Sequence, residues 1–310
     1  MVQSDGCVFP ASQNSLDIVD CFLAEAWKHR IDIRTGTPVK ALASNGVTPV
    51  LVLGGSVKRE EAFDRVIAAT GGARKGADLD WLRVPGHDIS EPVPSLFTFN
   101  MPKETITGLM GVVVENASIT VQGTRLRTCG PLLITHWGMS GPAVLQLSSL
   151  GARVLHGLNY DFRVSVNWVN ILNNHEVRGE LEKVRSGHRS RILANYRPFA
   201  LPDRLWQFLL ERCGLPGSRK WGELGRTGLN RLTSIITNDV YSVKGRTSFR
   251  EEFVTCGGVG LRDVDPKSMG SKVFKNLYLA GEVLDIDGLT GGYNFQAAWT
   301  TGFIAGLLRN

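Results

Sequence analysis

Apolar positions change their spacing three times along the chain. Behind Ser15 and Asp17, the residues Ile18, Val19, Phe22, Leu23, Ala26 and Trp27 recur at helical intervals and predict an amphipathic helix. Next, Ile31-Asp32-Ile33 alternates, and Val39, Leu42, the run Val50 to Leu53 and the run Val66 to Ala69 predict short strands separated by glycine and charge. The last of these runs straight into Thr70-Gly71-Gly72, a turn that leaves its backbone exposed.

Pro85, Pro92, Pro94 and Pro102 then predict a linker. Beyond them Val112 to Val114 and the alternating Ile119, Val121 and Leu126 predict antiparallel strands turning at Gln122-Gly123, followed by Leu132 to Ile134. A helix is expected from Pro142 to Leu150 and a strand from Phe162 to Val169. Several helices follow between 176 and 238, broken by Pro198, Pro202 and Pro216. The last texture returns to the first, with Leu277 to Ala280 as a strand, a glycine-rich loop, and a helix from Asn294 to Leu308. That return predicts a discontinuous domain of residues 1–105 and 256–310, with 106–255 inserted as a β-rich and helical domain.

Composition narrows the class without naming a ligand. Of 310 residues, 43% are hydrophobic and 21% charged, a balance that lets a chain of this length bury a core. Apolar stretches such as Leu109 to Val114 are far shorter than the ~18 residues of a membrane span, and Met1 to Pro10 carries no basic and apolar leader pattern. Five cysteines without a C-x-x-C pair argue against a disulfide framework or a zinc site, so a cytoplasmic setting and no metal are expected. A net charge of +6 suits an anionic ligand or a nucleic acid equally. Glycine stands out at 35 residues, well above the usual share of about 7%.

The glycines gather where chemistry is expected. In the run from Ala280 to Gln296, Gly281-Glu282 follows a strand, so the backbone can approach a ligand while the Glu282 carboxylate accepts hydrogen bonds from polyol hydroxyls. Gly291-Gly292 then opens a helix whose first N–H groups, around Tyr293 and Asn294, favour a phosphate or the electron-rich edge of a reduced flavin. Packing a C-terminal helix onto a sheet is the plainer use of the same glycines.

Together with Ala68-Ala69-Thr70-Gly71-Gly72, this run resembles the FAD-binding domain of glutathione-reductase-like flavoproteins. More narrowly, the chain resembles the aminoacetone-oxidase-like FAD family, relatives of the BaiN-type ene-reductases. Four ordered segments carry the likeness: Gly6 to Pro10, Leu132 to Pro142, Thr255 to Val259, and Gly281 to Gln296. The resemblance implies an α/β FAD-binding domain with an insert and a flavin-dependent oxidoreductase, with NAD(P)H as the implied electron donor. It places Gly281 and Glu282 at the ribitol, and Gly291, Gly292, Tyr293 and Asn294 at the isoalloxazine. Thr70, Gly71 and Gly72 fall at the pyrophosphate crossing and Val39 on the adenine strand. The implied reaction is oxidation of a small amine or reduction of an activated C=C bond.

The chain departs from the family pattern at Cys7, where a basic residue is usual, and at Asp263, where a Glu is usual. A larger departure is the absence of any G-x-G-x-x-G, the turn that seats a pyrophosphate on a helix N-terminus. The FAD domain is therefore expected to be incomplete, an amino-terminally truncated fragment that holds FAD weakly or is inactive.

Two candidate acids remain open. His136 could donate a proton, bind substrate or simply satisfy the backbone of its turn, and Tyr293 could be an acid or a stacking wall. Gly138-Met139-Ser140-Gly141-Pro142 fails as a nucleophile elbow because Pro142 stands where glycine is needed. Lys183, Arg185, His188, Arg189, Arg191 and Arg197 form a basic cluster, which reads as a solvated helix face over a nucleic-acid site because no aromatic platform is interleaved with it. A small-molecule substrate is expected, with neither membrane nor nucleic acid favoured as partner. The rival readings are a nucleic-acid-linked binding protein on a flavoprotein-like scaffold and a non-functional remnant.

Overall fold

A computed structural model describes residues 1–2, 6–54, 59–247, 254–290 and 292–308. The chain divides into two units, one of residues 1–92, 257–286 and 291–310, the other of 93–256 and 287–290.

The first unit begins with α1 (Leu16–Lys28), formed where the apolar periodicity puts it. Arg30 closes the helix at a left-handed φ of 56°, and the N–H of Ile31 donates to the Ala26 carbonyl at 2.9 Å. This closure corrects the expected strand at Ile31-Asp32-Ile33. The Ile31 N–H belongs to the helix end, and both isoleucines are exposed with no ladder beside them among the described residues. An antiparallel meander follows, β1 (Val39–Asn45), β2 (Thr48–Leu53) and β3 (Arg59–Ala62) in that order. After β4 (Val66–Ala68) comes a single helical turn, α2 (Asp80–Arg83), and then β5 (Ile89–Ser95). Pro92 and Pro94 lie inside β5 and not in a linker, which a strand paired along only one edge tolerates.

The second unit is built on a seven-stranded sheet. Its strands are β6 (Thr98–Asn100), β7 (Val113–Val121), β8 (Arg127–Ile134), β9 (Gly138–Ser140), β10 (Asp161–Asn167), β11 (Asp239–Lys244) and β12 (Arg246–Thr247), in the order β11-β10-β7-β8-β9-β6-β12. β7 and β8 form the expected hairpin, with the Val121 N–H closing onto the Leu126 carbonyl at 3.0 Å. A bulge between Val114 and Ala117 shifts the phase of β7, so both of these residues point into the core despite their odd spacing. Two helices, α3 (Pro142–Leu150) and α4 (Ala152–Gly157), separate β9 from β10, and α3 packs on β7 and β8. Three more are α5 (Asn174–Gly187), α6 (Asp203–Arg212) and α7 (Arg226–Thr237); α7 packs on both α5 and α6 and rests on β10. Each presents an apolar stripe, such as Leu205, Trp206, Leu209 and Leu210 on α6, all of them buried.

One carboxylate is sealed inside this unit. Asp239 accepts hydrogen bonds from Trp168 Nε1 at 3.0 Å and from the Tyr241 hydroxyl, and it pairs with Arg212 Nη2 at 2.9 Å. Burial still pushes its pKa above the usual carboxylate range, and burial together with the Asp239 charge raises that of Tyr241.

The chain returns through β13 (Val254–Val259), which pairs with β5, then β14 (Leu277–Leu279) and α8 (Tyr293–Gly306). β14 lies parallel to β4 in the register Leu277–Val66, Tyr278–Ile67 and Leu279–Ala68. Leu79, Leu82, Val259, Leu277, Leu279, Val283 and Ala305 form the core of the first unit. Among the described residues no helix is long and apolar enough to cross a membrane.

Candidate functional site

Because β4 and β14 are parallel and in register, their carboxyl ends open on the same side. The Ala280 N–H donates to the Ala68 carbonyl at 3.0 Å, which sets Thr70-Gly71-Gly72 beside Gly281-Glu282. Ligands of open α/β sheets bind outside the carboxyl ends of the strands, so these two turns are the candidate cradle of this unit. Gly71 and Gly281 both take a φ of +74°, the left-handed region in which a side chain is strained.

The turn at Gly281 is braced from two directions. Its N–H donates to Thr301 Oγ1 at 2.8 Å, and a Cβ on it would sit 3.7 Å from the Ala298 methyl, so α8 packs directly against it. Behind it, Gly258 on β13 lets the strand lie against the backbone of Val283 and Leu284, where a Cβ would meet the Val283 carbonyl at 2.6 Å. The Thr255-Cys256-Gly257-Gly258-Val259 segment singled out in the sequence thus supports the Gly281-Glu282 turn. One carboxylate oxygen of Glu282, Oε1, is buried.

Gly292 caps α8 at a φ of 87°, with its carbonyl accepting from the Gln296 N–H at 2.9 Å. The N–H groups of Tyr293, Asn294 and Phe295 lie in the first helical turn, where no intrahelical acceptor exists. They stand about 9–12 Å along the axis from Thr301, taking 1.5 Å per residue. Tyr293 is 63% exposed. Gly291 lies outside the described residues. Val39 is half-buried at the start of β1, in the meander and not in the β4–β14 pair.

His136 belongs to the other unit, between β8 and β9. The Thr135 N–H donates to the Gly138 carbonyl at 2.8 Å, and the Gly138 N–H donates to Thr135 Oγ1 at 3.1 Å. Thr135 therefore satisfies the backbone of this turn, the plainer of the roles open to His136, whose exposed ring meets Trp137 edge-on at 4.5 Å. Gly138 and Gly141 are packing positions, since a Cβ on either would strike the backbone of Phe99 or Pro131. Sequence reasoning missed a cavity of about 420 Å³ in this same unit, bordered by Ser149, Arg153, Cys256, Asp287 and Leu289. Nothing in the spacing of those residues announces it, because the strand β13 and a short loop bring Cys256 and Asp287 back to α4. Among the described residues no group of His, Cys, Asp and Glu is placed to hold a metal.

Residues 1–308 match the HI0933-like protein Rossmann domain. The chain belongs to that family. A 3-dehydro-bile acid delta(4,6)-reductase of Clostridium scindens is 28% identical over 97% of this chain and 75% of its own length. A ribosomal RNA dihydrouridine synthase of Haemophilus influenzae is 31% identical over 68% of this chain and 49% of its own. One of Escherichia coli is 30% identical over 92% and 69%. The BaiN-type resemblance carried by four sequence segments is thus family membership, and the general class is a Rossmann-type flavoprotein oxidoreductase.

The described residues fit the flavin-ring and ribitol end of FAD: two glycine turns permit close approach, Glu282 offers an acceptor, and the first turn of α8 offers N–H donors without intrahelical acceptors. No described βα turn fits the diphosphate in the G-x-G-x-x-G manner.

Proposed function

We propose that this chain serves a FAD-dependent oxidoreductase that adds hydrogen across a carbon–carbon double bond conjugated to a carbonyl. The observation that carries the reading is the pairing of Thr70-Gly71-Gly72 with Gly281-Glu282 at the ends of two parallel strands, with α8 packed against the Gly281 turn through Thr301. Of the two chemistries left open by the sequence, the relatives' names favour the reduction. A delta(4,6)-reductase and a dihydrouridine synthase are both named for the saturation of a C=C bond.

When bound, FAD would supply the hydride and draw it in turn from NAD(P)H. The protein's part is orientation and electrostatics. Glu282 holds a ribitol hydroxyl, Gly71 and Gly281 keep the approach clear, and the N–H groups of Tyr293 and Asn294 stabilise the negative edge of the reduced ring. Tyr293 serves as the wall of the ring site or as the acid that protonates the α-carbon, and its exposure leaves it accessible for either role.

The test is anaerobic turnover of the chain with FAD and NADPH, offered an enone steroid and, separately, uridine in RNA. Gain of two hydrogens by either substrate supports the reading. Bound flavin that releases hydrogen peroxide with an amine and saturates no C=C bond overturns it. A second version of the reading, in which the reduced ring is a uracil carried on RNA, is favoured by the substrate of two relatives and by the surface described next.

A further inference from the structure

The helical part of the second unit carries a short antiparallel ribbon. Ile192 bridges to Lys220, the Leu193 N–H donates to the Arg219 carbonyl at 2.8 Å, and the Trp221 and Gly222 N–H groups donate to the carbonyls of Arg191 and Arg189 at 2.9 and 3.0 Å. Two tryptophans pin it from below. Trp221 is fully buried and stacks on Trp206 at 6.2 Å, and Trp206 Nε1 donates to the Leu193 carbonyl at 2.7 Å.

This ribbon gathers four exposed cations that the sequence keeps apart: Arg189 and Arg191 on one side, Arg219 and Lys220 on the other. Other members of the basic cluster are already neutralised, since Lys183, Arg185 and Arg197 pair with Glu180, Glu182 and Asp203. Among the described residues no carboxylate lies within ion-pair distance of the four ribbon cations. The nearby Glu223 accepts the backbone N–H of Lys220.

Beside the cations lies the ring platform that the linear sequence does not reveal. His188 and Tyr196 stack with centroids 4.1 Å apart and a 32° tilt, and the Tyr196 carbonyl is held by Trp221 Nε1 at 3.0 Å. Among the described residues between 173 and 260 no large apolar side chain is exposed, so neither a lipid surface nor an apolar protein face finds an anchor here.

We propose that this ribbon is an RNA-binding surface, its Arg189, Arg191, Arg219 and Lys220 side chains contacting phosphates and the Tyr196–His188 ring pair receiving a base. Three of the four cations are arginines, whose planar forks bind phosphate oxygens in pairs, and a ring face beside a cation track is how single-stranded RNA is held without duplex structure. The class of partner rests on the RNA version of the function proposed above, while the location rests on the ribbon geometry alone.

The experiment is fluorescence anisotropy of the whole chain with a labelled single-stranded oligouridine of about 20 nucleotides, longer than the 4–16 nucleotides such sites cover, across a KCl series. Wild type should bind with a steep salt dependence. R189A/R191A/R219A/K220A should bind at least about tenfold more weakly, with a slope of log K against log salt shallower by about 3, at roughly 0.7 per lost phosphate contact. An unchanged thermal melt shows that the exposed substitutions leave the fold intact. Tyr196→Leu should weaken binding while keeping the slope. Absence of binding at low salt, or equal binding by the quadruple variant, overturns the proposal. So does RNA-blind wild type that instead binds phosphatidylserine vesicles. Because no flavin or turnover enters the measurement, an overturned surface leaves the C=C reduction standing, and lack of turnover leaves the surface standing.

Discussion

Two amphipathic helices of similar length meet opposite fates in this molecule. α6 turns Leu205, Trp206, Leu209 and Leu210 into a continuous core shared with α7, the tryptophan-anchored ribbon and the seven-stranded sheet. α1 carries an equally regular stripe, yet none of its residues is buried, and Trp27 at its end is 84% exposed. α8 buries Thr301 and Ala305 but leaves Phe295, Trp299 and Phe303 exposed, with Phe22 and Trp299 meeting ring to ring at 5.5 Å. Ile67, in the middle of β4, is 42% exposed, although parallel strands are ordinarily covered on both faces. An amphipathic pattern thus promises a face to bury but says nothing of what will cover it. The second unit supplies its own cover, and the first holds its cradle on a much thinner core.

This contrast is broken or sharpened first by hydrogen exchange and limited proteolysis, where the largest difference is expected. Amides of β7, β8 and α7 should exchange only through global opening, while those of α1 should exchange with almost no protection. Proteases should cut within 1–92 and 257–308 first and leave a resistant core from 93–256. Uniform protection along the chain would contradict the contrast.

Next in size is a pair of tryptophan truncations. Trp206→Ala removes a fully buried indole and its hydrogen bond to Leu193, and should cost about 3–5 kcal/mol in denaturant unfolding. Trp27→Ala should stay within about 0.5 kcal/mol, as exposed substitutions do. Equal losses at the two sites would mean that α1 is covered after all.

Within the first unit, Glu282→Ala should weaken FAD by about 1.5–3 kcal/mol, roughly ten- to a hundredfold, through loss of one charge-assisted hydrogen bond. Equilibrium dialysis measures this directly. Unchanged affinity in a folded variant would remove Glu282 from the cradle.

The smallest effect concerns thiols. Burial, reinforced by the Asp239 charge, pushes Cys213 up to about 11, whereas Cys21 and Cys129 are exposed. Since only the thiolate reacts, Cys213 should resist a thiol reagent at pH 8 and become reactive near pH 11 or on unfolding, while Cys21 and Cys129 label at once. Fast labelling of Cys213 at pH 8 would show that the core of the second unit opens readily.

Much of the element order is legible in the residues alone, because period and punctuation are local properties. The stripe of α1, the β7–β8 hairpin, the helix opened by Pro142 and the Gly281-Glu282 turn all follow from neighbours a few positions apart. The same locality misleads at Ile31-Asp32-Ile33, where alternation is real but the helix end uses the Ile31 N–H. It misleads again at Pro92 and Pro94, which a one-sided strand accommodates. Local sequence also could not say that Thr135, and not His136, completes its turn, since that depends on which side chain faces the Gly138 N–H. Only tertiary structure sets Thr70-Gly71-Gly72 beside Gly281-Glu282, because that adjacency is a strand register between segments some two hundred residues apart. For the same reason, only the folded chain brings Arg219 and Lys220 to Arg189 and Arg191 and, among the described residues, leaves these four without the acids that neutralise their neighbours.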